Sequence, residues 1–229
     1  MTAVLNMSEA KAREEICRVG ESLFQRGYVH ATAGNISVRL DHGFLITPTD
    51  ACLGFLDPAD LALLDRDGHQ LSGNRASKTI ALHRKIYEAS DHAPGSWPAH
   101  CVIHTHSTHC VGLSLRAKGP ELLPPITPYF VMKVGHVPLI PYFRPGDVLA
   151  ADAVADAILH YAKVDTPIRA VMLSRLGPNV WHQDLTQAMA TLEELEETAK
   201  LVNLASPHLP DNLSDEQIEE LRQNFGASW

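Results

Sequence analysis

His104 and His106 stand two residues apart at the end of an apolar run, Cys101-Val102-Ile103. Neutral imidazole is the commonest protein ligand for zinc and related ions. The run reads as a buried strand, and side chains alternate across a strand, so positions 104 and 106 are expected on one face. Two imidazoles held side by side on a rigid strand make the first half of a metal site. A pair of hydrogen-bonded structural histidines at a strand end is the alternative reading. Three further clusters can bind an anion. In Gly34-Asn35-Ile36-Ser37, glycine permits close backbone approach and Asn35 brings an amide that can donate. Thr47-Pro48-Thr49-Asp50 sets hydroxyls on a tight turn, Thr49 among them. Ser77-Lys78-Thr79 opens a helix, where free N–H groups, hydroxyls and a lysine charge form an anion cradle. Each cluster alone reads first as a local turn or cap. Together with the two histidines they favour a metal site beside a phosphate site.

The elements that position these residues follow from periodicity and punctuation. Ser8 caps a helix in which Ala12, Ile16, Val19 and Leu23 recur at helical spacing, ending near Gly27. Residues 31–39 read as a small-residue turn running into a short strand and 44–48 as a second strand, with the turn Asp41-His42-Gly43 between them, and 61–65 as a third, with Asp67-Gly68 turning into a fourth. Ser77 is expected to cap a helix to about Ser90, and Ser107 or Thr108 one at about 109–117. The proline-rich stretch 119–146 is expected to carry short strands near 129–133 and 136–140 and to help build the site. Gly146-Asp147 opens a helix to about 161, and 170–173 and 179–181 read as strands. Asp184 to Gln187 and Ser214 to Gln217 fit capping boxes, the first heading a long helix to about 204. Strands and helices alternate with hairpins, which predicts a mixed sheet with helices on both faces.

Bulk properties narrow the function classes. The chain has 229 residues, 45% hydrophobic and 20% charged, enough for a real core. A formal net charge of -8 argues against a nucleic-acid surface. No apolar run approaches a membrane span, and the N-terminus lacks a signal-peptide core. Cys17, Cys52, Cys101 and Cys110 show no C-x-x-C spacing and read as thiols in a reducing compartment, which predicts a cytoplasmic protein.

The chain resembles the class II aldolase/adducin family over roughly residues 8–204. The carrying stretches are Thr32-Ala-Gly-Asn-Ile-Ser37, Leu45-Ile-Thr-Pro-Thr49, Ser77-Lys-Thr with His83 in the same helix, and Val102-Ile-His-Thr-His-Ser107. Within that family, Thr47 to Leu56 and Lys133 to Pro138 are most similar to the 3-oxo-tetronate 4-phosphate decarboxylase branch. The resemblance implies an α/β fold of three layers, α/β/α, with a largely antiparallel central sheet. It implies one such domain over 1–229, with a core at 8–204 and a helical tail at 205–229, and a homotetramer with sites between subunits. By the same carry-over His104 and His106 bind one divalent metal per subunit, zinc first, with manganese or another ion as alternatives. Asn35, Thr49 and Ser77 match positions that hold the substrate phosphate; Lys78 is expected to bind the phosphate or carboxylate or to act as proton donor, and Lys78 and Thr79 are the candidate catalytic residues.

The pattern also breaks. The family's aldolases carry a Glu where this chain has Thr79 and a Ser where it has Lys78. Their third histidine falls at Leu176, which cannot ligate, and a usual glycine falls at Asp50. His136 is the favoured replacement ligand, His182 the second candidate, and a degraded site with no third protein ligand the remaining alternative. The activity expected from the resemblance is metal-dependent decarboxylation of a small phosphorylated sugar acid. A 3-oxo-tetronate 4-phosphate would yield dihydroxyacetone phosphate and CO2 through a metal-bound enediolate. Retro-aldol cleavage needs a base for a hydroxyl, whereas loss of CO2 from an ionised β-keto acid does not, so losing the Glu harms an aldolase more. A sugar-phosphate aldolase or 4-epimerase is the alternative within the family, and a non-catalytic adducin-like scaffold the alternative outside enzymes.

Overall fold

A computed structural model describes residues 7–208 and 210–229. Helix α1 (Glu9–Gln25) starts at Ser8, whose hydroxyl accepts from the Lys11 amide, and ends at Arg26. Strands β1 (Asn35–Leu40), β2 (Gly43–Ile46), β3 (Ala62–Asp65) and β4 (Gln70–Ser72) follow as an antiparallel meander. Then come α2 (Ile80–His92), β5 (Cys101–His104), α3 (Thr108–Ser114), α4 (Pro128–Lys133), β6 (Leu139–Ile140) and α5 (Val148–Lys163). Strands β7 (Ala170–Leu173) and β8 (Gly177–His182) precede α6 (Leu185–Ala205) and α7 (Asp215–Phe225).

The eight strands form one sheet in the order β4-β3-β2-β1-β5-β8-β7-β6. Every pair is antiparallel except β6 with β7. Alternation along the strands splits the core in two. One face sets Ile36, Ile103 and Val180 against Ile16 and Leu23 of α1 and Leu192 and Leu195 of α6. The other sets Val102, Val171 and Trp181 against Ile86 and Tyr87 of α2 and Val154 and Ile158 of α5. Each large side chain fully withdrawn from water contributes about 1.5–3 kcal/mol, so these two layers hold the sheet between its helices. The expected helix–sheet–helix arrangement is therefore present, with β5 at its centre.

Three local expectations give way. Residues 128–133 form a helix, not a strand, because Thr127 accepts from the Phe130 amide and Pro128 sits in the first turn. Of the second expected strand only Leu139–Ile140 pairs, with Met172 and Leu173. Helix α2 begins three residues after Ser77, with Thr79 at the N-cap and no side-chain cap. Ser77 Oγ instead meets Thr79 Oγ1 at 2.8 Å.

Candidate active site

Regular pairing of β5 ends at His104, so His106 lies in the turn that follows rather than on the strand. One further bond, from the Thr105 amide to the Pro178 carbonyl (3.2 Å), keeps that turn against β8. The two imidazoles still come together, with ring centroids 5.0 Å apart and planes at 69°. Two imidazoles sharing a tetrahedral ion at about 2.0–2.1 Å per bond have centroids roughly 5 Å apart, so this pair already has a chelating spacing.

His104 is prepared for that task. Its Nδ1 lies 3.0 Å from the Pro178 carbonyl, an acceptor only, so Nδ1 carries the proton and Nε2 keeps its lone pair. Burial, then the neighbouring His106, pushes its pKa down to about 3 against the opposing Pro178 carbonyl. The ring is neutral at physiological pH, as a metal ligand must be. Burial and then His30 lower the His106 pKa as well. His30 is exposed on the α1–β1 loop, its ring centroid 6.3 Å from that of His106.

Strand register builds a polar row around His104. Asn35 of β1 lies directly opposite it on one side and Asn179 of β8 on the other. All three share the α2 face, where Ser37 Oγ contacts His83 Nδ1 (2.7 Å) and Tyr87 Oη (2.6 Å). Among the described residues, the buried side-chain polar atoms without a partner are Asn35 Oδ1, His83 Nε2, Thr105 Oγ1, Ser107 Oγ and both amide atoms of Asn179. Asn35 and Asn179 flank His104 across the sheet, and Thr105 and Ser107 follow it in the chain. Native interiors leave few such atoms, and a local concentration of them marks a place where polar groups face a ligand. Sequence reading passed over Asn179; a buried Asn inside an apolar strand was the signal available.

The phosphate candidates are drawn to the same region by backbone pairing. The Thr47 amide donates to the Ile36 carbonyl, and the Ile36 amide donates to Thr47 Oγ1 (3.2 Å), tying the turn to β1 beside Asn35. The Thr49 amide donates to the Arg75 carbonyl and the Ser77 amide to the Thr47 carbonyl, so Thr49 and Ser77 lie on paired segments. Lys78 is exposed and Thr79 half-buried just before α2. Asp50 has φ 58°, the left-handed conformation that glycine adopts freely and Asp tolerates. A cleft of about 450 Å³ opens on the far side of this turn, lined by Thr49, Asp50, Phe55 and Arg75. Neither His104 nor His106 lines it.

The two candidates for a third ligand are held elsewhere. His182 pairs with Cys101 at the opposite end of β5 from His104, roughly 10 Å away at about 3.3 Å per residue. It points to the other face, and its Nδ1 accepts from the Gln183 amide. His136 Nδ1 contacts both oxygens of Glu121 (2.8 and 3.0 Å), and its ring stacks on Trp229 with centroids 4.1 Å apart. The donor atoms of His104, His106 and His136 do not all lie within 4.8 Å of one another; among the described residues only Asp65, Asp67 and His69, at the β3–β4 hairpin, meet that condition. Leu176 does adjoin the site: a Cβ on Gly177 would lie 1.8 Å from the Thr105 carbonyl oxygen and 3.3 Å from the His106 Cα. The site thus fits an ion at two imidazoles and lacks the third at the position the aldolases use.

Residues 14–202 match the model of the class II aldolase and adducin N-terminal domain. A Cupriavidus necator protein named 3-oxo-tetronate 4-phosphate decarboxylase is 50% identical, over 97% of this chain and 99% of its own length. A Pectobacterium atrosepticum protein of the same name is 37% identical, over 93% of this chain and 94% of its own. The crystal structure of the Escherichia coli protein YgbL, described as an aldolase/epimerase/decarboxylase, superposes with a TM-score of 0.81 at 38% identity. That superposition covers 93% of this chain and 99% of the other.

Proposed function

The chain belongs to the class II aldolase and adducin N-terminal domain family and is a carbon–carbon lyase, and on that premise we propose that it decarboxylates a four-carbon 3-oxo sugar-acid phosphate. The products are dihydroxyacetone phosphate and CO2. The observation that carries this reading is the set of buried, unpartnered polar atoms of Asn35, Asn179 and His83 beside His104, next to an imidazole pair at chelating distance. The near full-length likeness to proteins named for that decarboxylation supplies the substrate class.

The chain's own residues divide the work. Asn35, Thr49 and Ser77, with the α2 N-terminus, hold the phosphate and so fix the β-keto acid against the end of β5. His104 and His106 hold a divalent ion, zinc in this reading, which when bound supplies electrophilic stabilisation to a ketone oxygen as negative charge develops there. As the bond to the carboxylate carbon breaks, its electron pair passes into the ketone to give an enediolate, and CO2 departs. No base is required, which suits Thr79 where the aldolases have a carboxylate. Lys78 serves as a phosphate or carboxylate partner and as the proton donor to the enediolate carbon. A homotetramer with sites between subunits, in the cytoplasm, belongs to the same reading; four free cysteines accord with that compartment.

Mixing purified protein with 3-oxo-tetronate 4-phosphate and Zn²⁺ or Mn²⁺ tests the reaction. Stoichiometric CO2 and dihydroxyacetone phosphate are expected. Turnover absent with every divalent ion would sink the assignment.

A further inference from the structure

We propose that His30 is the third imidazole of the His104–His106 site, supplying the donor that Leu176 cannot. The inference rests on the metal-binding part of the preceding reading and concerns which residue completes it.

Local structure brings His30 there. After α1 the chain turns through Gly27 (φ 73°), and the Tyr28 amide returns to the Leu23 carbonyl. Tyr28 and Val29 are buried, which anchors the backbone just before His30. Just after it, Ala31 lies in the left-handed region (φ 48°) and the Ala33 amide donates to the His30 carbonyl, closing a tight turn. Gly34 (φ 85°) then lets the loop press against β5: a Cβ there would lie 2.9 Å from the His104 carbonyl oxygen and 2.7 Å from a Val29 methyl. The loop is therefore seated on the strand end that carries the site, and the His30 backbone is fixed on both sides.

The rings make an open arc. His104 and His106 are 5.0 Å apart at 69°, and His106 and His30 are 6.3 Å apart at 75°. The donor atoms of the three rings do not all lie within 4.8 Å of one another, and a shared tetrahedral ion needs centroids roughly 5 Å apart, so the His30 ring must move in from 6.3 Å by about 1.3 Å. Its side chain is exposed, and exposed side chains change rotamer on the ps–ns timescale. Of the other histidines, His136 is held by Glu121 and Trp229, His182 lies at the far end of the β5–β8 pairing, and His83 is fully buried on α2 with Nδ1 on Ser37 and Nε2 unpartnered. The Asp65-Asp67-His69 group lies at the β4 edge of the sheet, three strands from β5. Three neutral imidazoles with an open fourth position form the ligand set of a catalytic rather than a structural ion.

The test is a Co²⁺ titration of the metal-free full-length protein, read by visible d–d absorption and by metal analysis after dialysis. Wild type, His30→Ala, His136→Ala and His104→Ala are compared. Wild type is expected to take one ion per chain and His104→Ala none. His30→Ala should lose more than the roughly 10–100-fold in affinity that removal of a supporting partner costs, with an altered d–d spectrum, while His136→Ala stays within a few-fold of wild type. Wild-type affinity and spectrum in His30→Ala would overturn the assignment, as would loss confined to His136→Ala, with the His104-dependent ion left standing. Failure of wild type itself to bind an ion would overturn the metal reading and His30 with it. His30 is exposed, and matching thermal unfolding of the metal-free variants excludes misfolding as the cause.

Discussion

His104 shows how one side chain acquires a role from its partners. Its Nδ1 proton goes to a carbonyl, its burial keeps the ring neutral, and Nε2 is left to ligate. His83, four residues after Thr79, is equally buried, and burial followed by His104 pushes its pKa down to about 3. In the unfolded chain a histidine titrates near 6.5, so below that pH the unfolded state takes up protons that the folded state refuses. The stability due to neutral His83 is fully present above about pH 6.5 and falls as pH drops toward 3, by up to about 1.4 kcal/mol per pH unit. In metal-free protein His104 acts in the same direction. Urea midpoints followed by tryptophan fluorescence in chelator should therefore drop between pH 7 and 5; an unchanged midpoint would show that the two rings are not held neutral. Ser37 bridges His83 and Tyr87, and Ser37→Ala leaves both buried groups unpaired. It should cost about 1–3 kcal/mol in the same urea assay at pH 7.

At the scale of elements, the site depends on two contacts that bind its turn to the rest of the fold. Helix α3 starts at Ser107, whose side chain makes no cap bond. The buried carboxylate of Glu196, from α6, accepts from the His109 amide (2.8 Å) and the Cys110 amide (3.0 Å) instead. A carboxylate at a helix N-terminus is favoured by both charge and hydrogen bonding. Glu196→Ala should destabilise the protein by about 1–3 kcal/mol in thermal or urea unfolding, since the buried Cys110 amide and the part-buried His109 amide lose their acceptor. On the other side, Gly177 lets β8 pass against Thr105. Gly177→Ala places a methyl 1.8 Å from that carbonyl oxygen, so the 105–106 turn must move. Both stability and Co²⁺ affinity should fall, and a variant with wild-type affinity would show that the turn does not hold the ligand pair. Neither contact is visible in the sequence, because each joins residues more than 70 positions apart.

For the whole molecule, the carboxy-terminal residues pack onto the same chain. Helix α7 carries the capping box expected at Ser214 and Gln217. Trp229 then stacks on His136 and meets Phe130 edge-on at 5.7 Å. Tyr161 Oη donates to Glu121, which also holds His136, so the tail closes a cluster drawn from α4, α5 and the chain's end. Trp229→Ala should lower stability by about 1–3 kcal/mol, mainly through lost apolar burial, and leave Co²⁺ affinity within a few-fold of wild type. A large loss of affinity would reinstate His136 as a ligand.

The sequence by itself determined what depends on neighbours along the chain. Ser8, Asp147, Asp184 and Ser214 cap helices where they were expected to, because a cap acts on amides two or three residues ahead. The order of elements, the layered α/β class, the His104–His106 pair and the family were legible for the same reason, since motif and spacing are local. Tertiary structure decided what depends on register between distant strands. Only the pairing of β1, β5 and β8 sets Asn35, His104 and Asn179 in one row, and only β5–β8 register puts His182 at the wrong end. It also made 128–133 a helix and committed His136 to Glu121 and Trp229. Strand register is set by hydrogen bonds and packing between segments up to 81 residues apart, and no local pattern of residue types encodes which side chains those contacts bring face to face.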